Sequence, residues 1–250
     1  VVDELIRLSD YTLKSLSTGS ALRDFNLVFS KGDAFSIVTD SPDDAHNLLR
    51  GIATLEPPQS GQFFYRGEAV DFSDYRNLLP YKRKIGYIAS DATLVTNRSI
   101  RDNLMLMRYY FEDSISIEMS ETVRHLCTLF GLDKRLNLKP HQLDPEEHRV
   151  AVIVRELSKG PEILLVERPR VFLRTKYFEA LKDILRDLMK KDLVLVFSET
   201  DKAFTNEFAN KIIAIHQGKV TSFSSDTRDA QRKETSAEKE GESRAHANQF

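Results

Sequence analysis

Two stretches of this 250-residue chain combine a cap residue, a proline and carboxylates at the spacing that starts a helix. The first is Thr39-Asp40-Ser41-Pro42-Asp43-Asp44-Ala45-His46-Asn47, directly after the apolar run 34–38. Ser41 fits the N-cap, Pro42 the first helical position and Asp44 the third, a Ser-x-x-Asp capping box. The second is Leu143-Asp144-Pro145-Glu146-Glu147, in which Asp144, Pro145 and Glu147 take the same three roles. A helix start offers free N–H groups and the positive end of a dipole to an anion. Here both starts carry their own acids, and a bound anion would meet like charge costing about 3 kcal/mol per pair at ~5 Å and an effective dielectric near 20. A third chemical position is Glu167, which ends the apolar run 163–166 and precedes Arg168. Glu167 can approach a metal, whereas the Arg168 guanidinium accepts no proton at physiological pH.

The elements that would hold these residues follow from periodicity. Short apolar runs at 5–8, 27–29, 34–38, 62–65 and 84–89, punctuated by Gly32, Gly61 and Gly67, read as strands. A helix from Pro42 to about Leu55 interrupts them and closes before Pro57-Pro58. From 98 to 157 the period becomes helical, as in Ile100-Leu104-Met107, Val123-Leu126-Phe130 and 150–157. Strands at 162–167, 193–197 and 211–215, with a helix at about 176–189 between the first two, give the alternation of a parallel sheet with crossover helices. The division expected is one domain over 1–223, with a helical subdomain at about 91–157, and a disordered polar tail over 224–250 whose one large apolar residue is Phe250.

Composition narrows the function. Thirty-six Lys and Arg against 38 Asp and Glu leave no basic excess for a nucleic acid. The apolar runs are strand-sized, far short of the roughly 20 residues that span a bilayer, and the first residues lack a secretory pattern, so a cytosolic chain is expected. Cys127 is the one cysteine and falls in an apolar helical pattern, which reads as a buried, inert thiol. The six His have no metal-like spacing. Lys82-Arg83-Lys84 reads as a solvated edge, with a lipid-phosphate contact as its alternative. No metal and no cofactor are expected.

The order of landmarks from Ile6 to Val220 resembles the ATPase domain of ABC transporters. Lys31-Gly32-Asp33-Ala34-Phe35-Ser36-Ile37-Val38 resembles the strand before that family's P-loop, and Leu48-Leu49-Arg50-Gly51-Ile52-Ala53 the helix after it. Arg83-Lys84-Ile85-Gly86-Tyr87-Ile88 resembles the strand into the Q-loop. Gln142-Leu143 through Arg155-Glu156-Leu157 resembles the signature helix, and Pro161-Glu162-Ile163-Leu164-Leu165-Val166 the Walker B strand. The fold implied is α/β: a P-loop NTPase-like core with a mostly parallel sheet, an N-terminal antiparallel β subdomain and a helical subdomain insertion.

The resemblance also implies which residues should handle nucleotide, and this chain departs from nearly all of them. A P-loop cradles phosphates with glycines, a Lys and a hydroxyl; the corresponding positions hold Thr39, Pro42, Asp44, Ala45, His46 and Asn47. Leu16 stands for the adenine-stacking aromatic, Ser90 for the Q-loop Gln, and Asp144-Pro145-Glu146 for the core of the signature. Glu167 stands for the Mg²⁺-orienting Asp, Arg168 for the general base, Arg174 for the D-loop Asp, and Glu199, or Thr200 if the frame shifts by one, for the switch His. The expectation is a catalytically inactive subunit, structural or regulatory, docked on a membrane permease at its cytoplasmic face, with lipid transport as its candidate role. Two alternatives accompany it: a residual nucleotide-binding or ATPase subunit, and a soluble adaptor without a permease. Partners implied are an integral membrane permease and a homodimer or heterodimer mate from the same family. Leu104, Met105, Met107, Tyr109 and Tyr110 are the candidates for a permease-docking groove, with core packing of the insertion as the competing reading.

Overall fold

The computed structural model of the protein describes residues 3–16, 19–112 and 117–224. The chain opens with β1 (Glu4–Leu13), β2 (Leu22–Ser30) and β3 (Ala34–Thr39), followed by α1 (Pro42–Ile52), β4 (Ser60–Tyr65) and the two-residue β5 (Glu68–Ala69). Then come α2 (Tyr75–Lys84), β6 (Ile85–Ile88), α3 (Ile100–Phe111), α4 (Glu121–Leu129) and α5 (Pro145–Ser158). The rest is β7 (Ile163–Glu167), α6 (Thr175–Met189), β8 (Val194–Ser198), α7 (Lys202–Phe208), β9 (Lys211–His216) and β10 (Lys219–Ser224).

Two sheets result. β2-β1-β4-β5 is an antiparallel sheet, and β10-β9-β3-β8-β7-β6 is parallel except for β10, which returns antiparallel on β9. The continuous apolar runs of the parallel strands are buried on both faces, as a sheet covered on two sides requires. Leu164, Val166, Leu195 and Phe197 pack into one core, which α3 to α6 complete. Ile163, Leu165, Val194 and Val196 point the other way, into a core shared with α1 and the antiparallel sheet. Gly61 allows the two antiparallel strands to close: at φ +87° it lies where a Cβ would sit 2.3 Å from the Asp10 carbonyl oxygen.

The expected architecture is therefore present, with local differences. Helix α1 ends three residues earlier than expected, because Thr54 turns into the left-handed region at φ +57° and Leu55 N–H bonds back to the Arg50 carbonyl. Helix α2 has no counterpart among the elements that periodicity predicts; Pro80 and three consecutive basic residues hide its period, yet Asp74 caps it on Arg76 N–H. Ser224, expected to begin the tail, is the last residue of β10. The rest of that tail, 225–250, lies outside the described residues.

The docking candidates on α3 do not share a face. Leu104 and Met105 are 3% and 0% exposed and belong to the core, so they cannot receive a partner. With Ile100 and Asn103 they form the helix's buried stripe. Tyr109 is half-buried against that core and Met107 is half-buried, while Tyr110 is 59% exposed and meets Phe111 edge-on at 5.1 Å.

Candidate functional site

The turn between β3 and α1 is held by Thr39, whose hydroxyl accepts from Ser41 N–H and donates to the Ser41 carbonyl, both at 3.1 Å. Pro42 takes the first helical position, and Ser41 is the N-cap by backbone but its side chain makes no capping bond. The expected Ser41–Asp44 capping box is thus not formed. Asp44 instead sends its carboxylate across to the β1–β2 connection, where Oδ1 accepts from Ser20 N–H at 2.7 Å. The approach is close: a Cβ on Gly19 would meet Asp44 Oδ1 at 2.8 Å. From the next turn of α1, Asn47 Nδ2 donates to the Lys14 carbonyl at 2.7 Å. Leu16 belongs to the same connection, its carbonyl accepting from Gly19 N–H at 2.8 Å. The start of α1 is therefore bound to its own chain, through different bonds from those expected. Ala45 is 2% exposed and packs in the core.

His46 leaves α1 on its other side. Its Nδ1 lies 2.7 Å from Glu167 Oε1, and its Nε2 faces Asp91 Oδ2 at 3.9 Å. Glu167 also accepts from the Tyr87 hydroxyl, from Ser90 N–H at 2.9 Å and from the Ser90 hydroxyl at 2.6 Å. Parallel pairing of β6 and β7 sets Tyr87 and Ser90 against the end of β7. Burial by itself would raise the Glu167 carboxyl, but bonds from His46, Ser90 and Tyr87 outweigh it and hold the group at about 2. The bond to Glu167 in turn raises His46 above the ordinary imidazole value, against an opposing effect of burial. Burial and the nearby Glu167 charge push the Tyr87 phenol up.

Arg149, which sequence reasoning missed, completes this cluster from α5. It is 5% exposed, and its two terminal nitrogens donate to the Ala89 and Glu167 carbonyls at 2.5 and 2.6 Å. The guanidinium thereby closes the carbonyl ends of β6 and β7. An arginine in a helix studded with Glu and His reads as surface; only its position one turn beyond a capped start hints at an inward direction.

The second predicted start behaves as expected. Asp144 caps α5, accepting from Glu147 N–H at 2.8 Å, while Glu147 accepts from Asp144 N–H at 3.1 Å. Glu147 also pairs with Arg135 at 2.6 Å. Glu146 accepts from Arg174 N–H at 2.6 Å and from its Nε at 3.0 Å, which ties the start of α5 to the start of α6. Asp144, Pro145, Glu146, Phe172, Leu173 and Arg174 line an open groove of about 480 Å³ there. Arg168 is exposed at φ +44°, and Glu199 spends its carboxylate on the Thr200, Asp201 and Arg170 N–H groups. The fold thus gathers His46, Ser90 and Glu167 into one cluster, Thr39, Asp44, Asn47 and Leu16 around a second, and Asp144, Pro145, Glu146 and Arg174 into a third. Among the described residues no three or more His, Cys, Asp and Glu are grouped to hold a metal.

Known proteins match this architecture. A family model described as ABC transporter matches residues 22–170. An uncharacterized ABC transporter ATP-binding protein of Methanocaldococcus jannaschii is 27% identical over 201 residues, covering 80% of this chain and 89% of that protein. The glutamine transport ATP-binding protein GlnQ of Bacillus subtilis is 24% identical, with 80% and 82% covered. The sulfate/thiosulfate import ATP-binding protein CysA of Synechocystis sp. is 28% identical over 83% of this chain, which spans only 57% of that relative's length. Among solved structures, an ATP-binding subunit of an ABC transporter superposes with a TM-score of 0.76 at 18% identity, covering 91% of this chain and 92% of that one. A dimeric ATP-binding cassette bound to ADP and Pi superposes with a TM-score of 0.73 at 22% identity, covering 88% and 98%. These last two likenesses concern the fold.

The relatives correct one expectation. A catalytically inactive structural or regulatory component is not the function they point to, since they are named as ATP-binding proteins of transporters. The lipid-transport and soluble-adaptor readings fall with it. With a family model spanning more than half of its length and the fold to match, this chain belongs to the ABC transporter family.

Proposed function

We propose that the chain serves at the ATP-binding-subunit position of an ABC transporter, docked on an integral membrane permease at its cytoplasmic face and facing a second cassette domain. The observation that carries this reading is the family match over residues 22–170, together with relatives named for import and transport. It is supported by the helical layer α3 to α5, which exposes Tyr110, and by the absence, among the described residues, of a helix long and apolar enough to cross a membrane. An open groove at the start of α5 offers a face for the second cassette. The test is co-purification from detergent-solubilised membranes. The chain is expected to travel with an integral membrane protein, and Tyr110→Ala to weaken that association without lowering thermal stability. A chain found only in the soluble fraction, with no membrane protein attached, would refute the reading.

Hydrolysis by this chain's own site is a separate proposal: we propose that the isolated chain releases no phosphate from Mg-ATP. Ala45 sits in the core and Arg168 accepts no proton, so the lysine and base that phosphoryl transfer uses in this family have no counterpart at those positions. Phosphate release that Glu167→Gln abolishes would overturn this.

A further inference from the structure

The resemblance implies a divalent cation on the carboxylate that ends β7, and the donor set around Glu167 tests whether one fits. A carboxylate has about four lone-pair sites. On Glu167, Oε1 is taken by the Tyr87 hydroxyl and His46 Nδ1, and Oε2 by the Ser90 N–H and the Ser90 hydroxyl. Every site is filled by a group of this chain, and the side chain is 5% exposed. Mg²⁺ demands near-octahedral oxygen ligands and keeps several waters. The groups touching this carboxylate are an imidazole, a phenol, a hydroxyl and a backbone N–H, each already directed at it. Around His46 itself stand Glu167 and Tyr87 from the sheet, Asp91 from the turn after β6, and Arg50 one turn along α1. The residues present do not fit Mg²⁺.

We infer that His46 fills the position a divalent cation would take on Glu167, so that this carboxylate is closed to such ions and opens to them when the imidazole is removed. The contact joins α1 to the ends of β6 and β7 across 121 residues of sequence. It completes that junction with groups of this chain: α1 supplies the His46 ring, β6 the Tyr87 hydroxyl, and the following turn both the hydroxyl and the backbone N–H of Ser90. Of these, His46 is the one that can be shortened without touching the sheet, because its side chain is 23% exposed and its helix is anchored independently by Asp44, Asn47 and Ala45. The inference does not depend on permease docking, since it concerns the chain alone.

Mn²⁺ binding followed by electron paramagnetic resonance tests it on the full chain. The wild-type chain is expected to leave Mn²⁺ free at millimolar concentration, and His46→Ser to bind one equivalent at least about tenfold more tightly. Adding Glu167→Gln to His46→Ser should abolish that gain. A wild-type chain that binds Mn²⁺ as tightly as His46→Ser, or a His46→Ser chain that gains nothing, would overturn the inference. A second readout needs no variant: the ring nitrogen resonances of His46 in the wild-type chain should stay in place when millimolar Mg²⁺ is added. Their displacement by Mg²⁺ would also overturn it.

Discussion

At the scale of single residues, the outcome turns on how completely each buried polar group is satisfied. Glu167 is a carboxylate with a full set of donors, and Arg149 is its structural complement: it meets backbone carbonyls, and its Nε has no partner among the described residues. Burial lowers the Arg149 pKa, opposed by the Glu167 charge. Removing such a group strands two carbonyl oxygens in the core. Arg149→Met should therefore destabilise the chain by about 3 kcal/mol. Arg149→Lys should recover only part of that, since one ammonium cannot present the planar fork that spans both strand ends. Urea denaturation of the three proteins checks this, and equal midpoints for Arg149→Met and the parent would refute it. Glu167 was legible in the sequence as a carboxylate at a strand end. Its donors were not, because Tyr87, Ser90 and His46 lie 80, 77 and 121 residues away.

Elements show the same limit in their caps. Two helix starts with nearly the same letters were expected to cap themselves alike, and only α5 does. At α1 the Thr39 hydroxyl already engages Ser41, and the Asp44 carboxylate finds a backbone donor on the β1–β2 connection. A capping box is a local motif, and a tertiary donor at 2.7 Å can outbid it. Asp144→Ala should cost about 1 kcal/mol, whereas Ser41→Ala should cost no more than a few tenths. For a domain of this size that is a fall in Tm of roughly 2–4 °C against almost none. Equal losses in thermal unfolding would mean that Ser41 caps after all. Helix α3 teaches a related lesson: Leu104 and Met105 are adjacent in sequence and both buried, so apolar letters on a helix did not separate docking surface from core.

Across the whole molecule, the antiparallel and parallel sheets are joined by Glu162, the residue before β7. It accepts from the Tyr65 hydroxyl at the end of β4 at 2.6 Å and from Arg66 at 2.7 Å, and pairs with Lys84 at the end of α2 at 2.9 Å. Burial would raise its carboxyl, but the three donors outweigh that and bring it to about 2, well below the ordinary 4.5. A depressed carboxyl contributes stability in full above its unfolded value and loses it as pH falls through the folded one. Stability should therefore decline from about pH 4.5 towards 2, at no more than roughly 1.4 kcal/mol per pH unit for one group. Glu167, held at about 2 as well, adds to the same acid limb. Glu162→Gln should flatten that limb in urea unfolding measured as a function of pH; an unchanged slope would show that the inter-sheet tie is not made.

The sequence alone determined the order of most strands and helices, with α2, α7 and the short or terminal strands β5 and β10 left out, together with the mostly parallel sheet and the family. Apolar periodicity and turn residues report locally which face of an element is buried, and the register between distant landmarks survives substitution at single positions. Only the tertiary structure decided which group each polar side chain meets. Asp44 could have closed its own helix and instead holds Ser20; His46 could have been a surface residue and instead holds Glu167. Hydrogen bonds are short and directional, so their partners depend on loop paths and strand register set by the packing of the entire chain, and no local window of sequence contains that information.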